Sequence, residues 1–415
     1  MTAAALNAIA LGAHAAGSDV IRVGVVGCGG RGAGAAMNAM DADPGVRLVA
    51  MADLFEDRVK SKRDLLKQKK PDQVAVDDAH CFAGLDGYRK VIESADVVLI
   101  ACAPKFHAAY TRAAIEAGKH VFVEKAHAID PPGVRDLIAA RDLAKQKKLS
   151  IVSGLYSRYD PGYQETIKRV QDGAIGDIVA IEESALRGPY GLLRRTPGLT
   201  ELHHQLANWS SFAWLSGDDL NQGLIHGLDR ANWAMGDGQP IKCHGLGGRS
   251  SPPEEAAGSL FDHHSVVYEY ANGVRLYAFC RTQTGCYGDF TSVIRGTKGR
   301  CLLAQWRIEG QTKWRYRRPE EPTSSPYDVE HQVLFKAIRS GTPVNNGDYM
   351  VRSSMAAVMG QVSCYTGKEV TWDQAMKSNF TLGPKPEECR FDMEPPVKPD
   401  EKGIYPVPIP GQTKM

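Results

Sequence analysis

Apolar and polar residues alternate in blocks through the first third of the chain. Mainly apolar runs predicted as strands occupy residues 20–26, 46–53, 95–102, 120–123 and 149–153, and the run at 95–102 is of the continuous kind typical of strands that are covered on both faces. The longer stretches between these runs carry helical patterns, and several of them end at a breaker such as Pro71 or Gly118. Strands that alternate with helices predict βαβ units and a parallel sheet.

The pattern changes after residue 160. Helices are predicted at 163–171 and 219–235, the second with Asp218 or Asp219 as its N-cap. Strand-like runs occupy 178–185, 265–270, 274–280, 289–295 and 301–304, and two late helices occupy 327–339 and 351–365. The last four runs follow one another without helices, so this part of the chain is predicted to form an antiparallel sheet.

A glycine-rich turn joins the first predicted strand to the first predicted helix. Gly27, Gly29 and Gly32 have the G-x-G-x-x-G spacing, which lets the chain turn tightly, approach a pyrophosphate and pack a helix against a strand. The second strand ends at Asp53, where an acid suits the ribose hydroxyls of NAD and repels the extra phosphate of NADP. The order of these elements predicts an NAD site; the alternative is a glycine-rich turn that binds nothing.

The chain is long enough for two domains, because single cores rarely grow beyond about 300 residues. We predict an α/β protein, with an N-terminal Rossmann doubly wound parallel sheet and a C-terminal α+β domain whose sheet is open and largely antiparallel. The predicted divisions are a leader or disordered N-terminus at 1–19, an NAD-binding domain at 20–150, a substrate and oligomerisation domain at 151–375 and a proline-rich arm at 376–415.

Composition excludes several classes of partner. The 50 basic and 48 acidic residues are nearly balanced, which argues against binding to nucleic acid or to a membrane surface. The nine cysteines show no C-x-x-C spacing, which argues against a zinc ribbon and a disulfide framework. We therefore expect no metal site.

Residues 1–16 are rich in alanine and leucine and carry no charged side chain apart from the titratable His14. They resemble the apolar part of an export signal without the basic residues that should precede it. We expect an exported or periplasmic protein, or a cytoplasmic one if these residues are not a leader.

Two stretches carry side chains suited to proton transfer. Lys125 follows a parallel strand, at the edge where open α/β sheets bind ligands. Gln222, His226 and Asp229 have spacings that place them on one face of a predicted helix, and a histidine can take a hydroxyl proton near neutral pH. The alternatives are a solvated lysine and a core histidine.

The stretch 187–216 has little periodicity and is rich in aromatic and basic residues. It contains Arg187, Tyr190, Arg194, Arg195, His203, His204, Trp209 and Trp214. Aromatic rings with hydrogen-bonding neighbours suit a polyhydroxylated ligand.

An open antiparallel sheet also predicts a homo-oligomer, a dimer or tetramer, because large apolar faces are usually buried between subunits.

Taken together, these motifs resemble the Gfo/Idh/MocA oxidoreductases, named for glucose–fructose oxidoreductase and inositol dehydrogenase. The matching features are the glycine loop 27–32, Asp53, Glu124-Lys125, the segment 154–161 and the helix from Gln222 to Asp229. The resemblance implies that Lys125 and His226 are a catalytic pair, which transfers hydride between a sugar, polyol or glycoside and the nicotinamide. The residues assigned to the cofactor are Gly27, Gly29, Gly30, Arg31, Gly32, Asp53 and Glu124. The residues assigned to the substrate are Tyr156, Arg158, Arg187, Tyr190, Trp209, Gln222 and Asp229.

The chain departs from the family pattern at two positions. Ala126 stands where the family usually has proline, and Gln222 stands where it often has an acid. Glutamine cannot take a proton, so proton transfer would depend on Lys125 and His226. The expected function is an NAD-dependent oxidoreductase, with a cofactor that is tightly bound and recycled if the protein is exported. The alternatives are a glycoside-cleaving or epimerising enzyme that oxidises its substrate transiently, and a non-catalytic sugar- or nucleotide-binding member.

Overall fold

The computed structural model describes residues 19–191, 195, 197–251, 258–320 and 324–414. The predicted leader lies outside the described residues apart from Asp19, and so does Arg194. No helix in the described ranges is long and apolar enough to cross a bilayer.

Six parallel strands form the first sheet. Their bounds are β1 Ile21–Val26, β2 Val46–Asp53, β3 Cys81–Ala83, β4 Val97–Ile100, β5 His120–Val123 and β6 Ile151–Ser153. The strand order is β3-β2-β1-β4-β5-β6, which reverses between β1 and β4 and opens a crevice at the carboxyl ends of those strands. This sheet confirms the predicted Rossmann domain.

Five helices cover this sheet. They are α1 Gly30–Ala42, α2 Glu56–Lys69, α3 Gly87–Ser94, α4 His107–Glu116 and α5 Pro131–Lys147. The N-terminus of α1 follows the glycine loop directly, so its unpaired N–H groups lie at the crevice. The side chain of Asp130 caps α5 by accepting a hydrogen bond from Gly133 N at 2.9 Å.

Nine strands form the second sheet, which is mixed and mainly antiparallel as predicted. The strands β7 to β15 are Ile178–Arg187, Pro240–Gly248, His263–Tyr270, Arg275–Thr282, Ser292–Gly296, Gly299–Leu302, Arg307–Gly310, Trp314–Arg315 and Val370–Thr371. They lie in the order β14-β13-β12-β11-β7-β10-β9-β8-β15, with β7 and β10 parallel. Helices cover one face of this sheet, while the other carries no helix among the described residues.

Seven α-helices follow β6 among the residues that the structure describes. They are α6 Pro161–Gln171, α7 Glu201–Ala207, α8 Ala213–Ser216, α9 Ile225–Ala234, α10 Pro326–Ser340, α11 Gly347–Thr366 and α12 Trp372–Lys377. The helix predicted at 219–235 is not uniform: Leu220–Leu224 forms a π-helical turn before α9 begins. A wider turn of this kind changes which side chains share a face, and such turns are frequent at functional sites.

Helix α10 packs against the dinucleotide-binding domain, although it follows the second sheet in the chain. Leu334, Phe335 and Ile338 are buried in the same apolar cluster as Ala36 of α1, and Asn38 Nδ2 donates to Asp328 Oδ1 at 2.6 Å. The core of the first domain is therefore completed by a late segment of the chain.

The proline-rich C-terminal arm lies along the body of the protein. Arg135 donates to the carbonyl oxygens of Met376 and Ser378, at 3.0 and 2.6 Å, and Tyr405 is fully buried against Phe212. The arm thus contacts both domains.

Candidate active site

The glycine loop has the shape that a bound pyrophosphate requires. Gly27 has a φ of +96°, and a Cβ at Gly27 would overlap the backbone of Cys102, while one at Gly32 would overlap the carbonyl of Gly27. Gly29 and Gly30 instead face open space, with no atom within 4 Å of a built Cβ. The residues therefore fit a dinucleotide whose phosphates approach the N-terminus of α1.

Asp53 ends β2 beside this loop. Its Oδ2 accepts a hydrogen bond from Cys28 N at 2.7 Å, and Arg58 Nη1 lies 3.5 Å from its Oδ1. The carboxylate is thus fixed where the ribose hydroxyls of a dinucleotide would lie.

Both domains contribute walls to the cleft beside the loop. The first domain supplies Leu85, Tyr88 and Phe106, and the second supplies Leu206 and Trp209. Trp209, which the sequence analysis assigns to the substrate, therefore lies on the dinucleotide cleft, because the short helical turn that carries it folds back over the first domain.

Glu124 and Arg31 form an ion pair at the end of β5. Arg31 Nε lies 3.1 Å from Glu124 Oε1, and Lys125 N donates to Glu124 Oε2 at 3.2 Å. Burial raises the pKa of Glu124, whereas Arg31 and Lys125 act in the opposite direction. Both residues assigned to the cofactor thus lie between the glycine loop and Lys125.

Lys125 reaches from the first domain to the π-helical turn of the second. Its Nζ donates to the carbonyl of Gln222 at 2.8 Å. Burial lowers the pKa of Lys125; Glu124 and Asp219 oppose this shift, and Arg187 adds to it. The peptide bond to Ala126 is cis.

His226 lies in the first turn of α9, near Lys125. Its ring packs on Tyr156 with centroids 4.9 Å apart, and its Nδ1 has no hydrogen-bond partner among the described residues. Burial, with the charges of Lys125 and Arg230, holds the pKa of His226 well below its usual range. The imidazole is therefore neutral at physiological pH and can accept a hydrogen bond from a substrate hydroxyl.

Three residues assigned to the substrate have other partners. Gln222 Nε2 donates to Ser210 O at 2.8 Å. Arg158 and Asp229 form a buried bidentate pair, with distances of 2.9 Å from Nε to Oδ2 and 2.8 Å from Nη2 to Oδ1. The charges of Arg158 and Asp229 are thus paired with each other at the junction of the two domains, and their assignment to the substrate stays a prediction.

Arg187 and Tyr190 do lie together, and they share a partner that the sequence analysis considered only as a helix cap. Arg187 Nη2 and Tyr190 Oη donate to Asp219 Oδ1, at 2.5 and 2.8 Å. The guanidinium of Arg187 also lies 3.8 Å from the centroid of the Tyr190 ring. A carboxylate beside an irregular, arginine-rich stretch was the available signal, but the pairing depends on tertiary structure.

One further aromatic residue lies at the site. Tyr327 of α10 packs on Tyr156 with ring centroids 5.1 Å apart, and this tyrosine was not among the site residues predicted from the sequence. Within the described part of the chain, no group of three or more His, Cys, Asp or Glu side chains is arranged to hold a metal ion. The site thus combines a dinucleotide cleft with a lysine, a neutral histidine and polar side chains.

Comparison with known proteins agrees with this geometry. Residues 21–154 match the family model described as the oxidoreductase family with an NAD-binding Rossmann fold, Gfo/Idh/MocA. The dinucleotide-binding domain of the chain is thus similar to that of the Gfo/Idh/MocA oxidoreductases. The family model covers the glycine loop, Asp53 and Glu124-Lys125, whereas His226 lies beyond it.

Relatives within the family include dehydrogenases and glycosyl hydrolases. The chain is 27% identical over 338 residues to inositol 2-dehydrogenase of Burkholderia multivorans, which covers 78% of this chain and 87% of the relative. It is 22% identical over 244 residues to glycosyl hydrolase family 109 protein 4 of Phocaeicola vulgatus, which covers 57% of this chain and 40% of the relative. The match thus spans less than half of the hydrolase.

A solved structure shares the two-domain fold of this chain. Scyllo-inositol dehydrogenase of Lactobacillus casei, with bound NAD(H) and scyllo-inositol, superposes with a TM-score of 0.63 at 19% identity. The superposition covers 85% of this chain and 99% of the other.

Proposed function

We propose that the protein is an NAD-dependent oxidoreductase that acts on a hydroxyl-bearing carbon of a sugar or polyol. One observation carries this proposal. Lys125 follows β5 at the dinucleotide cleft, and its Nζ binds the helical turn that precedes His226. The match to inositol 2-dehydrogenase supports the same substrate class.

The roles of the residues follow from their charge and contacts. NAD bound in the cleft would supply a hydride acceptor at its nicotinamide ring. Lys125 would bind the substrate oxygen and stabilise the charge that develops as the carbinol is oxidised. His226 Nδ1 would accept the hydroxyl proton. The residues that would hold the cofactor are Gly27, Gly29, Gly30, Arg31, Gly32, Asp53 and Glu124.

We further propose that NAD is preferred over NADP. The Asp53 carboxylate would bind the ribose 2′- and 3′-hydroxyls and repel a 2′-phosphate, although Arg58 at 3.5 Å reduces this repulsion. Titration with NADH and NADPH, followed by nucleotide fluorescence, should give the lower Kd for NADH. Equal values for the two nucleotides would remove the preference.

The test of the activity uses a panel of aldoses, cyclic polyols and glycosides with added NAD. Lys125→Met should abolish turnover and retain NADH binding, because the methionine keeps most of the side-chain volume and removes the charge. Lys168→Met, at an exposed position, is the matched control and should remain fully active. An active Lys125→Met variant would overturn the assignment. A wild-type protein that binds sugars without turnover would instead indicate a binding protein.

A second candidate function is a closed redox cycle, in which the cofactor stays bound while a glycoside or sugar is oxidised, transformed and reduced again. The position of helix α7 favours this second function. Leu206 of α7 lines the dinucleotide cleft, and three contacts hold α7 against the C-terminal arm. Gln205 Nε2 donates to Val397 O at 2.6 Å, Tyr405 Oη donates to Glu201 Oε1 at 2.6 Å, and His203 stacks on Phe391 at 5.0 Å. Denaturing the purified protein should then release about one nucleotide per chain. Purification without bound nucleotide would favour a dissociable cofactor.

We also propose that the protein is a homo-oligomer, built on the face of the second sheet that carries no helix. Val267, Tyr277 and Phe279 alternate with buried residues on two adjacent strands, and the exposed Leu246 lies on the same face in the next strand, β8. An apolar strip of this kind is typical of a subunit interface.

A further inference from the structure

Asp219 lies behind Arg187 and Tyr190, two residues assigned to the substrate. Its side chain is only 2% exposed, whereas that of Arg187 is 24% exposed. Both Arg187 and Tyr190 donate to the same oxygen, Oδ1, and Oδ2 is buried without a hydrogen-bond partner among the described residues. The carboxylate thus fixes two side chains that are closer to solvent than it is.

We propose that Asp219 is a positioning residue that orients Arg187 and Tyr190 towards the hydroxyls of the substrate and balances the charge of Arg187 beside Lys125. This inference rests on the proposed oxidoreductase function and names residues that would select the substrate. It also identifies a carboxylate for a site that lacks the acid expected at position 222.

The hydrogen-bonding capacity of this group suits a polyol. Arg187 uses one N–H group on Asp219, and its other N–H groups have no partner in the described ranges. The hydroxyl proton of Tyr190 is donated to Asp219, so the lone pairs of its oxygen remain free to accept a hydrogen bond. The pair therefore offers both donors and an acceptor, as recognition of neighbouring hydroxyls requires.

The neighbouring carboxylate explains why the position of Asp219 is well defined. Asp218 is fully buried and accepts hydrogen bonds from Asp219 N at 2.7 Å, Phe261 N at 3.0 Å and Tyr365 Oη at 2.6 Å. His264 Nε2 lies 3.5 Å from the same carboxylate. These partners hold the pKa of Asp218 below its usual range, whereas burial raises that of Asp219. Asp218 is thus the structural member of the pair.

Asp219 also affects Lys125 through its charge. The titratable and charged groups whose interactions with Lys125 are resolved come from several elements, and they are Glu124, Arg31, Arg187, Asp219, His107, His127 and His226. Asp219 raises the pKa of Lys125 and Arg187 lowers it. Neutralising Asp219 should therefore lower the pKa of Lys125, because the effect of Arg187 is then unopposed. Neutralising Arg187 should raise it for the converse reason.

The experiment measures this pKa directly and does not depend on the choice of substrate. Competitive acetylation of the full-length protein with acetic anhydride across a pH series, read by peptide mass spectrometry at Lys125, gives the titration of its amine. We expect Asp219→Asn to move the titration to lower pH and Arg187→Met to move it to higher pH. Asp172→Asn, in an exposed i,i+4 pair with Lys168, is the matched control and should leave it unchanged.

Steady-state kinetics complete the test, with a substrate from the panel that the enzyme oxidises. Asp219→Asn should lower kcat/KM by about 10- to 100-fold, the range for one lost charged hydrogen bond, mainly through KM. Combining it with Arg187→Met should cost little more than the larger single change, because both act on one contact. Asp219→Glu should restore part of the loss.

The outcomes separate this inference from the function on which it rests. Unchanged Lys125 titration and unchanged KM in Asp219→Asn, with an inactive Lys125→Met, would overturn the role of Asp219 and leave the oxidoreductase intact. Shifts of the same sign in Asp219→Asn and Arg187→Met would also overturn it, since they would reflect a general disturbance. Absence of turnover with opposite titration shifts would reject the function, and with it the orientation of Arg187 and Tyr190 towards a substrate, while supporting the charge balance of Asp219 and Arg187 beside Lys125.

Discussion

His331 is a titratable residue enclosed by apolar surroundings. Its ring lies 4.3 Å from that of Phe122, and neither ring nitrogen has a hydrogen-bond partner among the described residues. Burial lowers the pKa of His331 to about 3; nearby Arg31 adds to this shift and Asp328 opposes it. The imidazole is therefore neutral in the folded protein at all pH values near physiological.

This burial makes the stability of the protein depend on pH. The unfolded chain takes up a proton at His331 as the pH falls below about 6.5, and the folded chain does so only near pH 3. The free energy of unfolding should therefore decrease as the pH is lowered across this window. His331→Phe keeps an aromatic ring beside Phe122 and removes the titration.

We accordingly expect His331→Phe to gain stability relative to the wild type by about 2 kcal/mol between pH 7 and pH 5. Urea unfolding of both proteins at the two pH values measures this difference. His244→Gln, at an exposed position of β8, is the control and should follow the wild type. If His331→Phe showed the same pH slope as the wild type, the histidine would not be buried in its neutral form.

Arg158 shows why some site residues cannot be identified from sequence. Its position in a segment that resembles the family predicts a pocket residue, yet it lies between Trp233 and Tyr349 and binds Asp229. The choice of partner depends on residues that are 71 positions apart or more. Lys125 was easier to predict, because the end of a parallel strand defines its place without knowledge of distant residues.

At the scale of elements, helix α7 connects the cleft with the C-terminal arm. The ring of His203 lies between those of Phe55 and Phe391, with centroid distances of 6.5 Å to Phe55 and 5.0 Å to Phe391. The first domain, α7 and the arm therefore meet at one place. Opening of the cleft would separate these rings.

We expect Phe391→Ala to speed release of the bound nucleotide by about fivefold, because an aromatic contact contributes about 1 kcal/mol beyond the area it buries. Stopped-flow displacement of NADH by excess NAD measures the rate. Ile409→Ala changes an exposed residue of the same arm and should leave the rate unchanged. Equal rates for the wild type and Phe391→Ala would mean that the arm does not restrain α7.

Most strands and helices could be predicted because their patterns are local. β2 and β5 coincide with the predicted runs, since most of their residues are apolar and buried. β8 was missed, because Gly245, Gly247 and Gly248 weaken the strand pattern. A Cβ at Gly245 would lie 2.7 Å from Cys364 Sγ of α11, so this glycine reflects close packing that is visible only in three dimensions.

At the scale of the whole molecule, the open face of the second sheet is the surface on which the proposed oligomer would form. Leu246 is 76% exposed and Tyr277 is 37% exposed, while the residues that alternate with Tyr277 in β10 are buried. An uncovered apolar strip of this kind would lower the solubility of a monomer.

Leu246→Glu should therefore shift the protein towards the monomer, because a carboxylate in the centre of an apolar interface would lose its hydration. Light scattering coupled to size exclusion measures the mass of the wild type and the variant. Ile409→Glu, on the arm and away from this face, is the control and should keep the wild-type mass. A monomeric wild type at micromolar concentration would contradict the proposed oligomer.

Helix α10 has a consequence for how the molecule is made. The apolar surface of α1 is covered by residues of Pro326–Ser340, which follow the last strand of the first sheet by more than 170 positions. During synthesis from the N-terminus, the nucleotide-binding half emerges from the ribosome long before its own final layer. Its maturation must therefore wait for almost the entire polypeptide, and premature release would leave a half-built domain with an exposed apolar flank.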